Sequence, residues 1–322
     1  MPMFPFLLFG CATDASYYTL SGQKHTYHRI IYKHSACLDE GIMRVYDEFY
    51  RAINPFDSQS TISHVNRNEA VQLDPLFIEA FNRAMELAKQ TDGAFDPTCA
   101  PLINRWGFGY EERPEAAQAE SLECLKTYVG YDKIELSHDV IVKQDPRVQL
   151  NFSAIGDGFA CEVIARYLEG QGVRDYLVDI GGEMIASGKN PSGNDWSVGI
   201  VQPPKQLGGS PADTFSAILH LSGKAAFATS GNYNNFRRVN GKLRGHTIDP
   251  WTGYPVETNV LSVTVIAPDC VTADAYATAL LVSTEDRLDR LLRAAIDYYI
   301  IYLDAADNYR IRQSEGMKRY IR

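Results

Sequence analysis

Strand-length runs follow one another at short intervals through the second half of the chain: Tyr176 to Ile180, Met184 to Ser187, Trp196 to Val201, Phe215 to Leu221 and Ala225 to Thr229. Strands joined by hairpin-length connections pair antiparallel, because a parallel pair needs a crossover of a dozen or more residues. Insertion-like loops at Asn190 to Asp195 and Pro203 to Asp213 interrupt the series. With helices grouped between the strands, the expected architecture is α+β, one large domain of mostly antiparallel sheets and packed helices. No repeat, low-complexity tract or break in composition divides the 322 residues further.

The first half supplies most of the helices. Tyr27 to Tyr32 reads as a strand, and Leu38 to Ile53 as an amphipathic helix with Ile42, Val45, Tyr46 and Phe49 on one side. The Asn, Pro, Asp and Ser content of Ile53 to Asn68 marks a loop. A well-punctuated helix follows, with Asp74 as N-cap, Pro75 in the first turn and Gly93 as the stop. Gly93 to Gly109, rich in Pro and Gly, reads as a rigid loop with Phe95 and Trp106 available for stacking; core packing explains Trp106 equally well, and it is left out of the site. A polar helix is expected between Arg113 and Tyr128, then short strands at Lys133 to Leu136, Val140 to Lys143 and Val148 to Asn151.

A hydrophobic fraction of 45% indicates a globular core, and a net charge of −9 gives no global attraction to nucleic acid or anionic membrane. Any phosphate ligand must therefore be held locally, since the basic clusters Arg237 to Arg238 and Lys318 to Arg322 are short. Six cysteines without a C-x-x-C indicate neither a zinc ribbon nor a disulfide scaffold.

Chemistry concentrates in two stretches. From His246 to Thr278, one histidine and several threonines and aspartates sit among apolar and small residues. The segment from Asp269 reads as a helix on which Asp274 and Thr278, four apart, face the same way. A carboxylate and a hydroxyl suit Mg²⁺ or Ca²⁺ better than zinc, although an isolated pair of this kind also occurs as a helix cap. From Asn151 to Gly188, a strand turns through Ser153, Gly156 and Gly158 into the helix Asp157 to Gln171, whose first N–H groups suit a phosphate.

Together these stretches resemble the ApbE-type FAD:protein FMN transferases, a family that includes flavin-trafficking lipoproteins. The resemblance runs from about Gly22 to the final strands. It rests on S-x-I-S-x-x-N (Ser60 to Asn66), G-A-F-D-P-T (Gly93 to Thr98), W-G-F-G (Trp106 to Gly109) and L-V-D-I-G-G (Leu177 to Gly182). It continues through A-T-S-G-N-Y (Ala228 to Tyr233), H-T-I-D-P-x-T-G-Y-P (His246 to Pro255) and T-A-D-A-x-A-T-A (Thr272 to Ala279). It implies a single T-fold-related domain over 22–322.

The activity implied is Mg²⁺-dependent transfer of FMN from FAD to a Thr or Ser hydroxyl of a flavoprotein subunit, for example of a membrane redox complex, with release of AMP. By the resemblance His246 is the general base, a role that suits a histidine pKa near neutrality. The metal ligands implied are Asp274, Thr278 and the main-chain carbonyl of Ala154. The flavin nucleotide contacts implied are Lys24, Phe56, Ala94, Phe95, Asp96, Asn151, Asp157 and Ile248. Three positions depart from the family pattern: Gly245 stands where serine is frequent, Asn151 where aspartate is frequent, and Asp157 where Lys or Glu is frequent. An FAD pyrophosphatase and a flavin-delivery lipoprotein without turnover are the competing readings. Retention of His246, Asp274 and Thr278 weighs against the second, because binding FAD needs no general base.

The segment MPMFPFLLFGC resembles the end of a bacterial lipoprotein signal with Cys11 as the lipidated residue, though it has no basic n-region and only ten residues before the cysteine. The expectation is a truncated signal and linker over 1–21, and a lipid anchor at the periplasmic face of the inner membrane.

Overall fold

The structure is a computed structural model and describes residues 15–111, 120–210, 214–233, 235–239 and 241–321. The expected lipid attachment at Cys11 and the first part of the helix expected from Arg113 lie outside these residues. No helix among the described residues is long and apolar enough to cross a membrane.

The chain begins with β1 (Ser16–Lys24), β2 (Thr26–His34), α1 (Asp39–Ile53), α2 (Thr61–Asn66), α3 (Pro75–Gln90), α4 (Ala100–Arg105), α5 (Leu122–Tyr128), β3 (Ile134–Ser137) and β4 (Val140–Lys143). It continues with α6 (Gly156–Gly170), β5 (Tyr176–Ile180), β6 (Glu183–Ser187), β7 (Trp196–Val201), β8 (Phe215–Leu221) and β9 (Ala225–Gly231). Then come β10 (Phe236–Val239), β11 (Lys242–Gly245), β12 (Val260–Ala267), α7 (Cys270–Val282), α8 (Glu285–Leu291), β13 (Asp297–Leu303) and β14 (Tyr309–Gln313). Eight strands form the main sheet in the order β1-β2-β5-β6-β9-β12-β13-β14, and its neighbours pair antiparallel throughout. The α+β architecture expected from the strand spacing is the one observed.

Both faces of this sheet are covered, and the pleat sorts side chains between them. On β2, Ile30 and Tyr32 enter the helix-side core while Ile31 enters the other; on β5, Val178 and Leu177 divide the same way, as do Ala226 and Phe227 on β9. The larger core holds α1, α3, α6 and α7 against the sheet. The smaller one is closed by the β7–β8 ribbon through Trp196, Val198, Leu219 and Leu221.

At the centre lies α7, on which only Thr272 and Thr278 of 13 residues escape burial. A helix apolar all round belongs inside a core, and this makes the buried Asp274 an anomaly that needs a reason. Asp269 caps α7 by accepting from the Thr272 N–H at 2.8 Å, and Asp74 caps α3 by accepting from the Leu76 N–H at 2.7 Å.

Three expectations are corrected. Within Gly93 to Gly109, read as a loop, Ala100–Arg105 forms α4 with Pro101 in its first turn. The stretch around Ser60 is partly helical: α2 begins there because the Ser60 hydroxyl accepts from the Ser63 N–H at 3.2 Å. Val148 to Asn151 is no strand. The Asn66 side chain accepts from the Leu150 N–H at 2.7 Å and donates to the Leu150 carbonyl at 2.9 Å, while Asn151 N–H reaches Pro97 carbonyl at 2.8 Å. The backbone groups that a ladder would use are already satisfied by a side chain and a loop.

Candidate active site

A cavity of about 800 Å³ opens between the N-terminus of α6, the middle of α7, the loops after α1 and α3, and the segment from Asn235 to Pro250. Each segment reaches it for a local reason. The chain leaves α3 through Gly93, whose φ of +76° lets its N–H turn back to the Ala88 carbonyl, and this swings the Ala94 to Asp96 loop over the cavity wall. Gly158 serves close packing of α6 on α7: a Cβ there would lie 2.7 Å from the Cys270 carbonyl and 2.9 Å from Asp274 Cβ. Gly158 thus brings one helix onto another, while Ala154 and Gly156 of the same turn line the cavity.

His246 follows directly on β11, and its N–H and its Nδ1 both lie on the Asn235 carbonyl, at 3.0 and 3.1 Å. A carbonyl only accepts, so Nδ1 carries the proton in the neutral ring and Nε2 keeps its lone pair. Burial disfavours the imidazolium and lowers the pKa, against a smaller rise from the Asn235 carbonyl. The ring meets Phe108 edge-on, 6.4 Å between centroids.

Asp274 and Thr278 both line the same cavity as His246 and Ala154. The Asp274 carboxylate accepts from the Gly158 N–H at 3.2 Å, and Thr278 Oγ1 lies 3.2 Å from Ser230 Oγ. Two further carboxyls join Asp274, of which the sequence had singled out Asp157 but not Glu183. Asp157, read as a nucleotide contact, accepts from the Tyr50 hydroxyl in a short hydrogen bond, and Glu183 lies close by, both facing Gly181. Burial raises the pKa of all three carboxyls; Asp157 raises Glu183 further, and both raise Asp274.

Among the described residues no Lys or Arg forms an ion pair with any of the three. Buried carboxyls without a cation are costly, so the site has the charge and the hard oxygen donors that a divalent ion requires. No ready-made group of three or more His, Cys, Asp or Glu ligands occurs among the described residues, so protein ligands here would be few and mixed: a carboxylate, a hydroxyl and a carbonyl.

The nucleotide contacts implied by the family resemblance are placed as follows. Phe56 stands at the rim, 65% exposed and edge-on to Tyr110, so it does not pin its loop to the core. Ala94, Phe95 and Ile248 are buried cavity wall. Both oxygens of Asp96 are engaged, one by the N–H and hydroxyl of Thr98 in its own loop and the other by the N–H of Tyr131 beyond α5, so its side chain organises the wall. Asn151 accepts from Ser153 N–H at 2.7 Å, which leaves its amide NH₂ to donate.

Lys24 is the exception. It does not line the cavity; its ammonium is drawn to Asp47 at 2.6 Å, and the neighbouring His25 takes the place at the wall, held by Asp47 at 3.0 Å and stacked on Tyr50 at 4.4 Å. The physical reason is the left-handed backbone of His25, φ 59°, which turns the hairpin between β1 and β2. Tyr50, Glu183 and His25 escaped the sequence reading because they lie on three separate elements; only Glu183 carried a cue, directly after the paired glycines of L-V-D-I-G-G.

A family model described as the ApbE family matches residues 16–300. The FAD:protein FMN transferase of Escherichia coli K12 is 30% identical over 298 residues, covering 90% of this chain and 83% of its own. That of Haemophilus influenzae is 34% identical over 257 residues, covering 77% and 73%. Among solved structures, the flavin transferase ApbE from Vibrio cholerae superposes with a TM-score of 0.81 at 29% identity, over 95% of this chain and 99% of that one.

Proposed function

The chain belongs to the ApbE family, and from that membership and the cavity geometry we propose that it moves FMN from FAD onto a Thr or Ser hydroxyl of an acceptor flavoprotein subunit, releasing AMP. The observation that carries the chemistry is His246: with Nδ1 on the Asn235 carbonyl, Nε2 is the free lone pair in a cavity that also holds Asp274 and Thr278. A general base of this kind takes the proton of the attacking hydroxyl, and burial keeps the imidazole neutral at physiological pH.

Asp274, Thr278 and the Ala154 carbonyl are the residues that would hold Mg²⁺, which when bound neutralises charge on the phosphate oxygens. Phe56 at the rim, and the wall formed by Ala94, Phe95 and Ile248, would bracket the flavin and exclude water from it. Asn151 would donate to ring or ribose atoms, and Asp157 would stand beside the nucleotide through the orientation that Tyr50 fixes. A hydroxyl positioned against phosphorus has a large advantage over bulk water, and this favours transfer over hydrolysis. Lipidation at Cys11, holding the enzyme at the periplasmic face of the inner membrane, belongs to the same proposal; Cys11→Ser in a secreted form should release the protein from membranes.

The test is turnover of FAD by the purified chain with and without Mg²⁺. His246→Ala should lower kcat by about 10²-fold or more while retaining FAD binding. Undiminished turnover in that variant would remove His246 from the mechanism.

A further inference from the structure

Between Phe236 and Gly245 the sequence FRRVNGKLRG carries Arg237, Arg238, Lys242 and Arg244 and no acidic residue, in a chain whose net charge is −9. The segment folds as the β10–β11 hairpin, a two-stranded sheet that among the described residues pairs with no other strand. Its base is closed by the His246 N–H on the Asn235 carbonyl, and both of those residues line the cavity, so the hairpin stands on the cavity wall beside the proposed base. Arg237 lies over the ring of Phe108, another wall residue, at 5.7 Å.

The charges are poorly compensated. Arg237 and Arg244 face each other across the ladder, a like-charge pairing that works against the hairpin. Arg244 is relieved by an ion pair with Glu257. Arg237, Arg238 and Lys242 are exposed and form no ion pair among the described residues; Arg238 reaches only the Gly241 carbonyl in the turn. Beyond the contacts of Arg237 with Phe108 and of Arg238 with Gly241, local structure gains nothing from such a set, and an acidic chain gains nothing in solubility from it. Unpaired strand edges are moreover suited to receive an extended segment.

We propose that the β10–β11 hairpin is the docking surface for the acceptor protein, and that it takes an extended, acidic segment flanking the acceptor hydroxyl. The inference rests on the transferase reading above. Ionic contacts to Arg237, Arg238 and Lys242, with main-chain pairing along a hairpin edge, deliver the hydroxyl to the side of the cavity where His246 stands.

The full chain is titrated, with and without FAD, with two labelled peptides of equal length and a shared central threonine, one flanked by Asp and Glu and the other by Asn and Gln. The acidic peptide should bind at least about tenfold more tightly at low salt, and lose that advantage at about 1 M salt, where screening acts over about 3 Å. Arg237→Glu/Arg238→Glu/Lys242→Glu should remove the advantage, and the milder Arg238→Gln/Lys242→Gln should reduce it, with FAD affinity unchanged in both by flavin fluorescence. Equal binding of the two peptides, or variants that bind the acidic one like wild type, overturns the proposal. So does loss of FAD affinity in the glutamine variant, which would assign the cations to the dinucleotide. Hairpin-dependent binding to phosphatidylglycerol vesicles in place of the acidic peptide overturns it in favour of a membrane surface. Failure of the wild type to bind FAD overturns the transferase reading alone.

Discussion

His246 owes its protonation state to a single main-chain oxygen, that of Asn235, and to the burial that disfavours the imidazolium. Because the pKa is lowered from 6.5, the neutral base persists to more acidic pH than for a free histidine, and activity is lost only as pH falls through that lowered value. The acid limb of kcat/KM for FAD should therefore have an apparent pKa under 6.5, and a limb at or above 6.5 would contradict the assignment. The neighbouring Gly245 is closely packed: a Cβ there would sit 2.8 to 2.9 Å from the Asn232 side chain.

Asp274 makes the complementary case at the same scale. Its carboxyl is buried beside Asp157 and Glu183 without a cation among the described residues, so in the metal-free protein its charge is a burden. Asp274→Asn should leave the metal-free Tm unchanged or higher. Mg²⁺ should raise the Tm of the wild type, by an amount equivalent to about 2.7 kcal/mol at a hundredfold excess over its Kd, and should not raise that of the variant. A Mg²⁺ shift retained in Asp274→Asn would place the ion elsewhere.

At the scale of elements, the site depends on how closely α6 approaches α7. Gly158 permits that approach, and Gly158→Ala must move either the Cys270 carbonyl or Asp274. A loss of about 1–3 kcal/mol in denaturant unfolding is expected, together with weakened Mg²⁺ affinity, since Asp274 is one of the displaced groups. A variant as stable and as Mg²⁺-responsive as wild type would show that the two helices are not tightly registered. Elements whose ends are written in local chemistry were legible in the sequence: α3 between Asp74 and Gly93, and α7 with Asp274 and Thr278 on one face. Val148 to Asn151 was not, because what decides it is the side chain of Asn66, 84 residues from Leu150. Tyr50 was equally hidden, since α1 reads as an ordinary amphipathic helix and its partner Asp157 lies 107 residues on. Motif resemblance located the cavity residues it could reach one by one, apart from Lys24, whose neighbour His25 takes the wall.

For the whole molecule, one sheet serves two cores, with adjacent residues of β2, β5, β9, β12 and β13 divided between them. Neither core can open without releasing strands that the other needs, so calorimetry should show one cooperative unfolding transition; two resolved transitions would separate the β7–β8 side as an independent unit. The same unity lets residues from α1, α6, β6, α7 and the segment that follows β11 meet in one cavity. Transfer and hydrolysis share the leaving AMP and differ in which oxygen reaches phosphorus, which mass separates without ambiguity. Candidate acceptor flavoproteins from the same organism, incubated with the enzyme, FAD and Mg²⁺, are measured intact. Our account predicts an acceptor heavier by one FMN less a water, AMP released in equal amount, and adduct formation slowed by about 10²-fold or more with His246→Ala. Free FMN and AMP with every acceptor unmodified, or FAD returned uncleaved, would contradict it.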